Sequence, residues 1–339
     1  MRVLLISHQL DYSGAPLALL ELAGVLRDLG HEVRLAALGP GPLGNDFLAR
    51  GVRPLQSRTE TFDLYVANTV VAVPAALAMA PSPDSVLAWI HETGYFFRIL
   101  RASPGDFLLA RLKFAAFPAR FQMDEFAQWM PATERMQLRN CVRMPAIDPS
   151  APAADHYVCS GRWEARKNQA RLVELANALP DAPSIWFIGA EQPPGIAPGV
   201  HRFLGTLAPG DSKRTIAESR GLISPSLSEA QPLAAIEAAM AARPVLLSDI
   251  PAHRELKQAV PDIILFDPRR VESFVDGFRA LTAQSADRSV RSRLQADALR
   301  TFGPQGFVEN VRQVLARLSP GVAGRPGAGR PTQPSGGER

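Results

Sequence analysis

The stretch that most constrains this chain is Gly221 to Leu256, GLISPSLSEAQPLAAIEAAMAARPVLLSDIPAHREL. Two short apolar runs, Gly221 to Ser226 and Pro244 to Asp249, flank an Ala-rich segment at about 232 to 242. The pattern predicts a strand, a loop, a helix and a second strand, the crossover unit of a parallel sheet. Two carboxylates interrupt it, Glu229 in the loop and Glu237 in the helix. Leu233, Ile236 and Met240 form a helical stripe, and Glu237 borders it one turn after Leu233. An unpaired charge in such surroundings is strongly destabilising, so Glu237 needs donors. They come from a nearby Arg, Lys or backbone N–H, or from a ligand, and the residues leave both open.

The chain has 339 residues, of which 46% are hydrophobic, enough for two packed domains of ordinary size. Its formal charge of +4 suits an anionic ligand or a weak pull towards acidic lipid without demanding either. There is no basic stripe with interleaved aromatics, so nucleic acid is not expected as a partner. The two cysteines, Cys141 and Cys159, have no metal-ligand spacing and suggest a reducing, cytoplasmic setting. No apolar run reaches the roughly 18 residues of a membrane span.

Arg2 to Ser7 is a predicted buried strand, followed by a loop, a helix over Ala15 to Leu29 stopped by Gly30, and a strand over His31 to Leu38. The loop lacks G-x-G-x-x-G. Its Gly14 is either a turn into the helix or a point where an anion approaches the helix N-terminus. Asn68 and His91 end the apolar strands Phe62 to Asn68 and Ser85 to Ile90, at the edge where open α/β sheets bind ligands. A histidine there either packs and caps or takes part in chemistry. Residues 94 to 120 mix Phe, Leu and Ile with Arg98, Arg101, Arg111, Lys113 and Arg120. They form either a helix pair with a solvated basic face or a surface for a membrane interface. A short strand is expected at Arg120 to Met123, a helix from Asp124 to Trp129, and a last strand at Cys141 to Ala146.

A linker, Asp148 to Ala154, precedes a new strand at His156 to Gly161. Arg162, Arg166 and Lys167 crowd the loop after it. They are either a solvated loop or a clamp for the charge that grows on a departing phosphate. The amphipathic segment Phe302 to Leu318 is a predicted final helix, and the Gly- and Pro-rich remainder cannot bury a core.

These motifs together resemble the retaining glycosyltransferases of family 4, which have the GT-B fold. The resemblance rests on Glu229 and Glu237, eight positions apart, followed by AMAARPVLLSD, and on Ser160-Gly161-Arg162 with Lys167-Asn168. It implies two Rossmann-like doubly wound parallel-sheet domains facing across a cleft: an acceptor-side domain at 1–150, a nucleotide-sugar donor domain at 151–301, a helix at 302–318 crossing back to the first domain, and a disordered tail at 319–339. It implies that Arg162 and Lys167 hold the diphosphate, that Glu229 orients the sugar, and that Glu237 accepts hydrogen bonds from the ribose. Gly14 would lie near the donor phosphates, with Asn68 and His91 beside the reacting sugar. Backbone N–H groups of Ala230, Gln231 and Leu233 would line the donor, although family members usually carry glycines there.

The expected function is transfer of a sugar from a nucleoside diphosphate sugar to a glycan or lipid-linked acceptor, with retention, in cell-surface polysaccharide or glycolipid synthesis. No cofactor or metal is expected, since no D-x-D motif stands in place. The enzyme is expected in the cytoplasm, with residues 94–120 as its contact with the inner membrane surface. The alternatives are an epimerase or phosphorylase on the same fold, and a non-catalytic GT-B module that binds a sugar nucleotide or scaffolds an assembly.

Overall fold

The computed structural model describes residues 1–322 except 58, 149, 151, 197 and 198, with side chains as far as Leu318. The apolar runs dictate its layers. In β1 (Arg2–Ser7), Val3 and Leu5 enter one core and Leu4 and Ile6 the core on the other side, all at most 1% exposed. A strand buried on both faces needs helices above and below it.

The first sheet adds β2 (Glu32–Ala37), β3 (Arg53–Pro54), β4 (Leu64–Asn68), β5 (Val86–Trp89), β6 (Phe114–Phe117) and β7 (Glu134–Gln137). Its seven strands are parallel, in the order β3-β2-β1-β4-β5-β6-β7. The second sheet holds β8 (Tyr157–Ser160), β9 (Ile185–Ile188), β10 (Arg202–Phe203), β11 (Leu222–Ser224), β12 (Val245–Ser248) and β13 (Ile264–Phe266). It too is parallel, in the order β10-β9-β8-β11-β12-β13. In each sheet the chain winds outward in one direction and then returns to build the other side. The order therefore reverses between β1 and β4, and between β8 and β11. Such switch points open a crevice at the C-terminal strand ends.

The helices that position these ends are α1 (Gly14–Asp28), α2 (Gly44–Ala49), α3 (Val73–Met79), α4 (Gly94–Leu100) and α5 (Arg120–Phe126) in the first half. The second half has α6 (Gln169–Asn177), α7 (Pro209–Glu218), α8 (Leu233–Met240), α9 (Pro251–Ala259), α10 (Val271–Ala286), α11 (Arg288–Phe302) and α12 (Pro304–Val322). The last helix packs on the first sheet. Phe307, Val311, Val314 and Leu318 join the core of Val3, Leu5 and Trp89, and the Phe307 ring lies 6.4 Å from that of Trp89. None of the helices among the described residues is long and apolar enough to cross a membrane.

Several local expectations are corrected. Arg120 to Met123 is not a strand but the start of α5. Its Arg120 and Phe121 N–H groups donate to the Glu255 carboxylate of α9, at 2.8 and 3.0 Å, and Gln122 reaches back to the Ala119 N–H. An acid at a helix N-terminus satisfies orphan donors and favours the helix dipole. The last strand of the first sheet is β7, not Cys141 to Ala146. Three of its four residues are polar, as an edge strand tolerates, so it shows no apolar run. The segment after it is the irregular connection between the sheets, with the Val142 N–H on the Phe302 carbonyl. Residues 94–120 are not a helix pair: they hold α4, two 3-10 turns and the buried strand β6. Finally, α12 runs through Val322, so the segment expected to be disordered from 319 begins as helix, and 323–339 lie outside the described residues.

Glu255 is thus a tie between the two halves, accepting also from Gln137 Nε2 at 3.1 Å. Glu255→Ala should lower stability by about 1–3 kcal/mol, read as a lower urea midpoint. An unchanged midpoint would mean that water replaces the carboxylate without loss.

Candidate active site

The loops at the two switch points face each other. Arg162, just after β8, reaches Asp11, just after β1, with Nη2 3.3 Å from Oδ2. Thr93, after β5, shares a 2.9 Å hydroxyl–hydroxyl bond with Ser228, after β11. The N-termini of α1 and α8 meet in the same cleft: a methyl on Gly14 would stand 3.3 Å from Leu233 Cδ1. Neither helix carries an acid in its first turn or a side-chain cap. Two sets of free N–H groups, with their partial positive charge, therefore point into one space.

On the second sheet Glu229 is the centre. It is 8% exposed and accepts from Lys167 Nζ at 2.6 Å, Arg166 Nη1 at 3.1 Å and Ser226 Oγ at 2.8 Å. Burial pushes its carboxyl up, but the Lys167 and Arg166 charges, with the Lys167 and Ser226 hydrogen bonds, outweigh that and hold it below the usual range. Glu229 is therefore ionised, and three donors leave it about one further acceptor site. Lys167 is spent on it, as is Arg166, which also donates to the Ser228 carbonyl at 3.0 Å. Arg162 is the exposed cation of the run, its side chain 77% accessible.

The loop that carries these cations is shaped by glycine. Gly161 has φ +141°, and a Cβ there would lie 3.0 Å from Lys167 Cε. A larger residue would displace the lysine from Glu229. Gln169 Nε2 fixes the same turn by donating to the Gly161 and Arg162 carbonyls, at 3.1 and 2.7 Å.

Glu237 behaves differently. It is half-buried on α8, and its carboxylate has no hydrogen bond or ion pair among the described residues. Burial raises its pKa to about 7, opposed only by the charge of Lys213. Of the two donor sources that the residues left open, the protein supplies none. Gln231 is occupied elsewhere: its Oε1 accepts the Asn140 N–H at 2.8 Å and its Nε2 donates to the Pro118 carbonyl at 3.3 Å. Its side chain bridges the two halves, which leaves only its backbone, with those of half-buried Ala230 and Leu233, for a ligand.

On the first sheet, Asn68 and His91 are brought together. Asn68 Nδ2 donates to the Ala15 carbonyl at 2.9 Å, so its Oδ1 faces His91 Nε2 at 3.0 Å. His91 must then carry its proton on Nε2 and keep Nδ1 as an acceptor. Burial, with a smaller contribution from the neighbouring His8 when that ring is protonated, lowers its pKa to about 3, so it is neutral near pH 7. Sequence reasoning passed over His8, Asp11, Thr69 and Glu92, and it did not attach Arg166 to Glu229. Arg166 stood in the recognised basic run, and Glu92 directly follows His91. His8 ends an apolar strand just as Asn68 and His91 do, which is the signal that would have found it.

Two parallel-sheet domains that meet at their switch points are the architecture of the GT-B fold, which hosts more than one activity. A family model described as Glycosyl-transferase family 4 matches residues 1–141, and one described as Glycosyl transferases group 1 matches residues 154–284. The chain belongs to the family 4, group 1 glycosyltransferases. No curated protein sequence matches it. Among solved structures, Anabaena Alr3699/HepE in complex with UDP-glucose is similar with a TM-score of 0.76 at 16% identity, covering 94% of this chain and 100% of that one. Sucrose-phosphate synthase from Thermosynechococcus elongatus has 0.72 at 14%, covering 94% and 98%. The lipopolysaccharide outer core galactosyltransferase WaaB in its apo form has 0.70 at 12%, covering 94% and 99%.

A raised carboxyl pKa destabilises the fold as pH climbs from the unfolded value near 4.5 to about 7. Below 4.5 both states are protonated and the effect vanishes. Glu237→Gln should therefore stabilise the free protein at pH 8, by on the order of 1–3 kcal/mol, and leave it unchanged at pH 4. Equal gains at both pH values would show that Glu237 is solvated and unperturbed.

Proposed function

We propose that the chain transfers a sugar, with retention and without a metal, from a uridine diphosphate sugar to a glycan or lipid-linked acceptor. Its setting would be cell-surface polysaccharide or glycolipid synthesis at the cytoplasmic face of the membrane. The observation that carries this reading is that α8, whose N-terminus enters the cleft, carries a half-buried carboxylate without protein donors among the described residues, while the cleft holds Arg162 by a single exposed ion pair to Asp11. Glu237 lacks donors, and a ribose diol supplies two. Arg162 and the N-termini of α1 and α8 lack a buried anion, and a diphosphate is one. The complexes of Alr3699/HepE with UDP and with UDP-glucose, on a similar fold, support uridine as the base.

In this reading the bond from the anomeric carbon to the diphosphate oxygen breaks while the acceptor oxygen bonds to the same face. The acceptor's proton passes to the leaving phosphate. Glu229 orients the sugar rather than attacking it, since Lys167, Arg166 and Ser226 already occupy its oxygens. Lys167 then acts on the donor chiefly by holding Glu229 and adding charge behind the phosphates, while Arg162 exchanges Asp11 for the diphosphate. Neutral His91, held by Asn68, presents Nδ1 to the sugar side.

The test is thermal unfolding against UDP, GDP, ADP and their glucose conjugates. Ligand at 100 times its Kd should add about 2.7 kcal/mol, for uridine nucleotides only, and Arg162→Ala or Glu237→Ala should abolish the shift. UDP affinity should fall as pH drops through about 7, by at most roughly tenfold per unit, because only the ionised Glu237 accepts both hydroxyls; Glu237→Gln should flatten that profile. Stabilisation without any turnover would favour the non-catalytic module.

The membrane contact would use α4, where Ile99 and Leu100 are 60% and 53% exposed between exposed Arg98 and Arg101. Sedimentation with phosphatidylglycerol vesicles should carry the protein down at low salt, and Ile99→Ser with Leu100→Ser should release it. Equal sedimentation of the variant would remove α4 from that role.

A further inference from the structure

Thr69, at the first sheet's switch point, has φ +88° and ψ 159°. Only glycine visits that region freely, and other residues persist there when their surroundings hold them. The surroundings here are explicit. The Thr69 N–H donates to the Trp89 carbonyl at 2.9 Å, and the next N–H, of Val70, donates to Glu92 Oε2 at 3.2 Å. The same oxygen accepts the His91 N–H at 3.1 Å. Glu92 is itself tied down, because its carbonyl accepts from Gln122 Nε2 at 2.8 Å and Gln122 is fully buried. One carboxylate oxygen therefore joins the end of β4 to the end of β5.

The strain has a use. In its unusual conformation Thr69 sets Oγ1 3.3 Å from His8 Nδ1, while Asn68 before it holds His91. Glycine would adopt the backbone without strain, but it has no hydroxyl to meet His8. We infer that Glu92 and Thr69 are positioning residues, a clamp that fixes the paired imidazoles of His8 and His91 at the acceptor side of the cleft. This rests on the glycosyltransferase reading but assigns roles to residues that the reading leaves idle. Glu92 acts here as an acceptor of two backbone N–H groups, not as a charge on substrate.

The test needs no donor for its first arm. Long-range proton–nitrogen NMR of the full chain should show His91 as the Nε2–H tautomer, and Glu92→Ala should lose that fixed pattern. Glu92→Gln, whose amide oxygen accepts the same two N–H groups, should restore it. So should Glu92→Ala with Thr69→Gly, since glycine keeps the conformation unclamped; this pair also serves if Glu92→Ala alone does not fold. In the second arm, UDP release from UDP-glucose should fall about 10- to 100-fold in Glu92→Ala, with UDP affinity unchanged. Glu92→Gln should recover at least about tenfold of that loss, whereas the pair with Thr69→Gly should not, because it lacks the hydroxyl that meets His8. A His91 signal unmoved by Glu92→Ala overturns the clamp. So does Glu92→Gln failing as badly as Glu92→Ala, which would make the charge itself the function. If UDP-glucose is neither bound nor turned over, the donor assignment fails while the NMR arm still decides the clamp.

Discussion

The structure depends on the demand of one buried carboxylate. Glu229 is out of solvent and ionised, a state that holds only while its donors stay in place; removing a partner from such a pair costs about 3–5 kcal/mol. Those donors come from two strand ends. Lys167 and Arg166 follow β8, and Ser226 follows β11. Ser226 is fixed in turn, its carbonyl accepting from Ser248 at the end of β12. Three neighbouring strands are thus stapled at the edge where their order reverses. Gly161 follows from the same demand, since only a residue without a Cβ leaves Lys167 its place.

This staple also decides which charges are available. Of the three cations after β8, two are committed to Glu229, and Arg162 alone reaches towards the first sheet. The two rims of the cleft then differ in electrical character. The second sheet's rim offers Arg162 and a helix N-terminus, and it stays positive. On the first sheet's rim, burial lowers the pKa of both His8 and His91, which leaves neutral imidazoles. A reaction that releases a diphosphate builds negative charge on one partner only. Full positive charge thus comes from the second sheet's rim, while the histidines of the first rim add none, and Asp11 there is the anion that Arg162 already meets.

How much of this was legible in the sequence varies with the physics behind each part. Parallel sheets were legible because strands buried on both faces leave unbroken apolar runs, as in VLLI and VLL. Edge strands bury only one face, so Glu134–Gln137 passed unseen and Cys141 to Ala146, an apolar connection, looked like a strand. Helix α5 was hidden because what stabilises its start, Glu255, lies 134 residues away from Phe121. The site divided along similar lines. Asn68 and His91 could be placed on a sheet edge from strand ends alone, but their hydrogen bond could not. Arg166 and Lys167 were visible as a charge run, yet their attachment to Glu229 is a tertiary fact. Strain at Thr69 leaves no sequence mark, because the sequence offers threonine where glycine would announce the conformation.

Two kinds of contact across the cleft differ in what they let move. Glu255 and Gln231 bind backbone groups of the opposite half: the N–H groups of Arg120, Phe121 and Asn140 and the carbonyl of Pro118. Those groups are anchored in secondary structure or its immediate flanks, and the Pro118 carbonyl also accepts from Gln137 Nε2 at 3.4 Å. Arg162 and Asp11 are joined instead by a single exposed ion pair, of a sort that contributes roughly 0–1 kcal/mol. A diphosphate offers Arg162 more charge and more acceptors than one carboxylate does. On the proposed reading, the exchange at Arg162 would therefore be favourable and local. It would free Asp11 beside the N-terminus of α1 while the backbone-directed bonds keep the halves in register, so donor entry would leave the geometry of the reacting side undisturbed.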